Sequence, residues 1–302
     1  GFPMAVTPFV DSLALSNVWF DKAYTVAPAS MPARCSMFTG RYPTATHVRT
    51  NHNTLDMYYK KDMLEVFKEQ GYKTALLGKN HAHVKGKDFD YCEEYFHWGK
   101  NQRDTQEDKD FAFFLNNKAR GQYLEATPFP AEAQNPVKMV TKALAWAEQQ
   151  KDSAFFMWVS MPEPHNPYQI SEPYFSMFSP EKIPATLTSR NDLSKKGNKY
   201  EILEDTACPN LAKDLPRLRG NYLGMLRLID DQTKRLIEGF KAAGLYENTI
   251  FVILSDHGDY CGEYGLIRKG AGVPECLTRI PMIWAGYNIH PQKSPMDAHV
   301  SI

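Results

Sequence analysis

Apolar positions along the chain switch repeatedly between a helical and a strand-like period. From Asp62 to Gln70 the apolar residues Met63, Leu64 and Phe67 share one helical face, and Gly71 follows as a C-terminal stop. Lys73 to Leu77 then reads as a short strand. Val137 to Gln150 is amphipathic through Met139, Val140, Ala143, Leu144 and Ala147. Ala154 to Val159 is a continuous apolar run, the pattern of a strand covered on both faces. Pro216 to Ala243 carries Leu218, Tyr222, Met225, Leu226, Ile229, Leu236, Ile237 and Phe240 at helical spacing. Thr249 to Leu254 predicts a second buried strand and Ile280 to Trp284 a third. Helix and strand in alternation predict an α/β fold: a mixed, mostly parallel central sheet with helices on both faces.

Two stretches break the rhythm. Residues 100–132 are polar and aromatic with little period, and residues 176–213 are rich in Pro, Ser, Asn and Lys. Both read as insertions in a single domain spanning 1–302, where long surface loops commonly carry specificity; plain decoration or disorder accounts for them equally well. No internal repeat is present.

Composition narrows the function classes. Lys plus Arg and Asp plus Glu both number 35, so no global field favours nucleic acid or an anionic membrane. Any attraction for an anion must come from a local cluster. No apolar run is long enough to span a bilayer. The cysteines Cys35, Cys92, Cys208, Cys261 and Cys276 are scattered and form no C-x-x-C pair, which argues against a disulfide frame or a zinc site. The chain opens at Gly1-Phe2-Pro3 without a signal-peptide pattern and stops without a closing element, so it reads as part of a longer product. Compartment is left open.

Chemistry gathers where the buried runs end. After Leu77 comes Gly78-Lys79-Asn80-His81-Ala82-His83. After Val159 comes Pro162-Glu163-Pro164-His165-Asn166-Pro167. After Leu254 comes Ser255-Asp256-His257-Gly258-Asp259. Ligands of open α/β sheets bind at the carboxyl ends of strands, so these segments would meet along one edge. Each has a dull explanation alone: Asp256 as a turn cap, His165 as a structural residue between prolines, Lys79 as a solvated charge. Their coincidence is harder to set aside. The segment Ser30 to Arg41 adds a further element, because Pro32 suits the first position of a helix and Gly40 its stop. Ser30 would then lie just ahead of a helix N-terminus, where free N–H groups favour an anion, with Arg34 one turn in. A plain N-cap serine is the simpler reading of that segment alone.

Ser30-x-Pro32-x-Arg34 followed by Thr39-Gly40-Arg41 resembles the sulfatase signature C/S-x-P-x-R…T-G-R. The later segments resemble that family's G-K-x-H, P-H-x-P-[YF] and S-D-[HN]-G-x-x-x-G-E-x-G-L-x-x-K motifs, in the family's order and over most of the chain outside the insertions. The resemblance implies the alkaline phosphatase-like fold and a sulfuric ester hydrolase. It also implies that Ser30 is oxidised to formylglycine by a maturation enzyme, and that one hydroxyl of the hydrated aldehyde attacks sulfur while the other later expels sulfate. Asp256, His257 and the modified Ser30 would be ligands of a divalent cation, calcium in most members, with manganese or magnesium as alternatives. Arg34 would hold the modified residue, and Lys79 and Lys269 would bind sulfate oxygens. His165 would protonate the leaving alcohol, and His81 would assist breakdown of the sulfated enzyme. A sulfated aryl or carbohydrate ester would be the substrate, with no nucleic-acid partner and no membrane span. A periplasmic or secreted location would be usual for the family, with the cytoplasm as an alternative.

Three departures qualify the resemblance. The family's N-terminal strand bearing a consecutive Asp-Asp pair has no counterpart ahead of Gly1, so this stretch alone is expected not to complete the metal site or to turn over substrate. His257 stands where many members carry Asn, which makes a transition ion less unusual. The reactive position is Ser, the type matured by a radical-based bacterial enzyme; Cys35 reads as a small core residue. A phosphonate monoester or phosphodiester hydrolase of the same superfamily, or a non-catalytic relative kept for binding, are the competing readings. His47, His83 and His97 receive no role, and Glu263 reads as a loop anchor. Mass spectrometry of the Ser30 peptide from the native host is expected to show a loss of two hydrogens; an unmodified serine there removes the proposed nucleophile.

Overall fold

The computed structural model describes residues 2–117, 123–194, 210–270 and 272–302. Within them lie β1 (Val18–Phe20), β2 (Ala23–Tyr24), β3 (Lys73–Gly78), β4 (Tyr91–Phe96), β5 (Gly99–Lys100), β6 (Phe155–Ser160), β7 (Ile250–Leu254), β8 (Met282–Gly286) and β9 (Val300–Ser301). One sheet has the order β5-β4-β3-β6, with β3 parallel to both β4 and β6 and β5 antiparallel to β4. A second sheet, β1-β8-β7, is antiparallel, and β2 and β9 form a short parallel pair. The fold is α/β with mixed pairing.

The alternation of β3 explains how helices come to lie on both faces. Leu76 packs with Phe38, Leu64, Phe156 and Trp158 on one side. Ala75 and Leu77 pack with Ala143, Trp146, Met157 and Val159 on the other. The helices Ser30–Thr39 and Met63–Glu69 therefore cover the first face and Asn135–Gln149 the second. Leu76 and Leu77 are fully buried, each contributing about 1.5–3 kcal/mol of hydrophobic transfer free energy. Helix Leu211–Ala242 starts before the expected Pro216, which costs it one hydrogen bond near its N-terminal end.

Two expectations change. The apolar runs of β6 and β7 predict strands covered on both faces, yet β6 is mostly half-buried and Ile250 and Val252 of β7 are 51 % and 42 % exposed. Among the described residues β6 pairs only with β3 and β7 only with β8. A cavity of about 2200 Å³ lies against both strands, lined by Phe155–Val159 and by Ile250–Leu254. The stretch 100–132, expected to lack period, contains the helix Gln106–Asn117, which buries Phe111, Ala112 and Leu115. Its apolar face is narrow, and the polar residues before Phe111 hid it. Much of the second insertion lies outside the described residues.

The start of Met63–Glu69 bears on the site. Asp62 caps it: its Oδ1 accepts from Glu65 N at 2.9 Å, and the Glu65 carboxylate accepts from Asp62 N at 2.9 Å. The other Asp62 oxygen lies 2.7 Å from His83 Nε2, with both side chains buried. His83 therefore fastens the loop after β3 to a neighbouring helix. Burial alone would raise the Asp62 pKa; the His83 and backbone N–H bonds outweigh it and leave the pKa lowered. Asp62→Ala is expected to lose about 2–4 kcal/mol in urea unfolding, from the cap and an orphaned imidazole. Because the folded pKa is depressed, the wild-type advantage should be full above the unfolded value near 3.8 and vanish as pH falls through the folded one.

Candidate active site

Two glycines near the strand ends are required by close approach. Gly78 closes β3 at φ +114°, and a Cβ there would sit 2.1 Å from the Ser160 carbonyl oxygen. Only glycine lets Lys79 N donate to that same carbonyl at 2.8 Å, which carries the lysine over the end of β6. Gly258 follows β7, and a Cβ there would lie 1.9 Å from the Cys276 carbonyl oxygen. Its N–H donates to Leu277 O at 2.8 Å, fixing the turn that bears Asp256 and His257.

Ser30 proves to be the first residue of the helix Ser30–Thr39; the N-cap is Ala29, in extended conformation, with no side-chain cap. Ser30 is therefore no capping serine. The Met31 N–H is taken instead by Asn51 Oδ1 at 3.0 Å, a partner the sequence did not reveal. The Ser30 hydroxyl is free for other contacts: it accepts from Lys269 Nζ at 3.1 Å and lies 3.0 Å from His257 Nε2. His257 Nδ1 is 2.7 Å from the Gly258 carbonyl, so Nδ1 carries the proton and Nε2 accepts from Ser30. Gly40 ends the helix at φ +62°, as expected.

Arg34, 6 % exposed, ties these pieces together. Its Nε donates to Asp256 Oδ2 at 2.8 Å, and its Nη1 donates to Lys79 O at 2.7 Å, Asn80 O at 3.2 Å and Ser160 Oγ at 2.7 Å. Trp158 lies under the guanidinium at 5.5 Å. A second tie joins the loops after β6 and β7. Asp259 accepts from Tyr168 Oη at 3.0 Å, Cys261 N at 2.8 Å and Arg268 N at 3.0 Å, next to Lys269. Neither Ser160 nor Tyr168 was singled out from the sequence, where nothing marks a serine or tyrosine as a hub.

Ser30, Arg34, Lys79, His165, Asp256, His257 and Lys269 all line the cavity beside β6 and β7. His81 does not line it. It stands in a left-handed conformation at φ +46°, half-buried, with no partner for Nδ1. His97, unassigned from sequence, does line the cavity. Strand β4 ends beside it, but the interior Glu93-Glu94 hid β4 as a strand. Cys35 is fully buried, its thiol pushed up to about 11 by burial, in keeping with a core role.

Charge is unbalanced. Arg34, Lys79 and Lys269 lie around Asp256, and Asp259 adds a second carboxylate near Lys269. Burial alone would raise the Asp256 pKa, but Arg34, His257, Lys79 and Lys269 together hold it well below the carboxylate range. Burial, then repulsion from Arg34 and Lys269, pulls Lys79 down to about 7. Burial, then Lys79, brings His81 to about 4 and holds His165 well below the usual imidazole value. Such a set gains when an anion enters it.

In a Ser-His-Asp triad the carboxylate would bind Nδ1; here Nδ1 is bound to Gly258 O, and Asp256 Oδ1 is 3.6 Å from Nε2, on the side that faces Ser30. Ionised Asp256 and the unprotonated Nε2 are both in the form that binds metal. No group of three or more His, Cys, Asp and Glu able to hold a metal occurs among the described residues. The two side chains fit a cation as part of a ligand set.

The chain thus joins an α/β fold to a serine at a helix start, buried cations and an Asp-His pair, all at its strand ends. The sulfatase family model matches residues 1–301, and the chain belongs to that family. It is 27 % identical to an uncharacterised sulfatase of Escherichia coli K12, over 92 % of this chain and 57 % of the relative. It is 26 % identical to an arylsulfatase of Clostridium perfringens, over 91 % and 62 %. The chain thus spans about three-fifths of the length of these relatives. Among solved structures, a phosphonate monoester hydrolase of Agrobacterium radiobacter matches with TM-score 0.78 at 20 % identity, over all of this chain and 66 % of the other. A 2-O GAG sulfatase matches with TM-score 0.65 at 18 % identity, over 99 % and 63 %. No described helix is long and apolar enough to cross a membrane.

Arg34→Lys keeps the charge but loses the planar fork that reaches Asp256, Ser160 and the carbonyls together. It is expected to cost about 2–3 kcal/mol in urea unfolding. An unchanged midpoint would mean that the hub does not hold the strand ends.

Proposed function

We propose that this chain is the catalytic core of a sulfuric ester hydrolase acting on an aryl or carbohydrate sulfate. The observation that carries the reading is the Ser30 hydroxyl held between Lys269 Nζ and His257 Nε2, with Arg34 and Lys79 lining the same cavity. Lys79 and Lys269 bind the sulfate oxygens, whose spread charge needs several donors. Arg34 keeps Asp256 ionised and holds the helix that presents residue 30. Oxidation of Ser30 to formylglycine by a maturation enzyme supplies, on hydration, a nucleophilic hydroxyl better suited to turnover than a serine. A divalent cation at Asp256 and His257 supplies charge neutralisation, calcium being the first choice and manganese or magnesium the alternatives.

His165 is the proton donor to the leaving oxygen. Its Nδ1 donates to the Asn166 carbonyl at 2.7 Å, leaving Nε2 for the substrate. Burial, then the Lys79 charge, keeps it neutral in the free protein. A bound sulfate offsets the Lys79 and Lys269 charges, so substrate binding itself raises the proton affinity of His165. His81 is kept as an auxiliary base, one step back from the cavity.

A phosphonate monoester or phosphodiester hydrolase is the second reading, supported by the TM-score of 0.78 to such an enzyme. Rates on nitrophenyl sulfate and a nitrophenyl phosphodiester separate the two, using the full natural polypeptide that carries this chain, matured and with a divalent cation. The sulfate is expected to lead by more than about tenfold in kcat/KM, about 1.4 kcal/mol. A reversed preference overturns the sulfatase reading.

A further inference from the structure

His97 follows β4 directly, at the same sheet edge where Lys79 follows β3 and His165 lies beyond β6. Its imidazole stacks on that of His165 with centroids 4.1 Å apart and planes 18° apart. Trp98 meets His97 edge-on at 4.4 Å and itself stacks on Phe96 at 4.7 Å. The loops carrying the two imidazoles are clamped by one buried side chain. Asn135 Nδ2 donates to Phe96 O at 3.2 Å and to Glu163 Oε1 at 2.8 Å, one residue before His97 and two before His165. The stacked pair is thus built into the fold and does not depend on two mobile rings meeting by chance.

We propose that His97 is a positioning residue for His165: stacked on its face, it holds the ring so that Nε2 meets the leaving oxygen of the ester. The Nδ1 bond to Asn166 O fixes one edge of the His165 ring but leaves it free to tilt about that bond. The His97 face removes the tilt. General-acid transfer is steep in geometry, so a lost stack should reach the rate of bond cleavage more than substrate binding. Burial, then Lys79, Lys269 and His81, brings His97 down to about 3, so it remains a neutral plate beside a ring that must take up a proton.

The proposal rests on His165 being the proton donor, and the experiment separates the two claims. His97→Ala, His97→Phe and His165→Gln, with the double variant His97→Ala/His165→Gln, are compared in the full natural polypeptide, matured and metal-loaded. Each is assayed on nitrophenyl sulfate, whose leaving group needs little protonation, and on a sugar sulfate, whose leaving group needs it. His97→Ala should lower kcat on the sugar sulfate about tenfold or more and on the nitrophenyl ester less than about twofold. His97→Phe, which keeps a flat ring, should recover most of the loss and controls for folding. In the His165→Gln background, His97→Ala should cost nothing further. Equal losses on both substrates, no rescue by Phe, or additive losses in the double variant each overturn the proposal for His97. If His165→Gln itself shows no dependence on the leaving group, the assignment of His165 fails instead, and the positioning role fails with it.

Discussion

The buried guanidinium of Arg34 is where separate parts of the chain become one site. It leaves the helix Ser30–Thr39, takes the backbone carbonyls after β3 and the Ser160 hydroxyl at the end of β6, and reaches Asp256 after β7. β6 and β7 belong to different sheets, with a cavity against both. Through its bonds to Ser160 and Asp256, Arg34 therefore bridges the ends of the two sheets. An ion pair such as Arg34–Asp256 is weak evidence for net stability, but leaving either charge without the other is costly. That makes the pair a device for register. It sets how far Ser30 stands from the Asp256-His257 turn, and with it whether the reactive hydroxyl lies among its cations.

Electrostatics follows from that geometry. Arg34 is committed to Asp256, so the carboxylate is neutralised internally and the charges of Lys79 and Lys269 remain for a ligand. Burial presses on both lysines and on the imidazoles around them. These groups consequently favour an anion among them. Burial, then the Lys79 charge, lowers the proton affinity of His165; under the proposed function a bound sulfate would offset that charge. The neutral chain as a whole offers no such field. The attraction is local and comes from strand ends meeting.

Support for the reactive side chains lies one layer back, in residues with ordinary names. Tyr168 and Asp259 fasten the loop of Lys269, Asp62 and His83 fasten the loop of Lys79, and Asn135 fastens the loops of His97 and His165 together. Glu263 accepts from the N–H and hydroxyl of Thr188, so the second insertion is anchored to the same reactive turn.

Much was legible in the chain alone. The helical periods of 62–70 and 137–150 and the apolar runs at 73–77, 154–159 and 249–254 each became an element within a residue or two of the expected ends, because local periodicity and caps such as Asp62 and Gly71 decide those. The order of the strand-end motifs identified the family, since residue type and spacing carry it. Tertiary structure decided what depends on partners distant in sequence. It made Ser30 the first helical residue instead of a cap, left β6 and β7 flanking a cavity, withdrew His81 from the lining, and found a helix in 106–117. It alone brought His97 onto His165, because stacking joins residues that share no local pattern. The sequence by itself determined which side chains were available for reaction. Packing determined which of them face one another, because burial and pairing are properties of the whole fold.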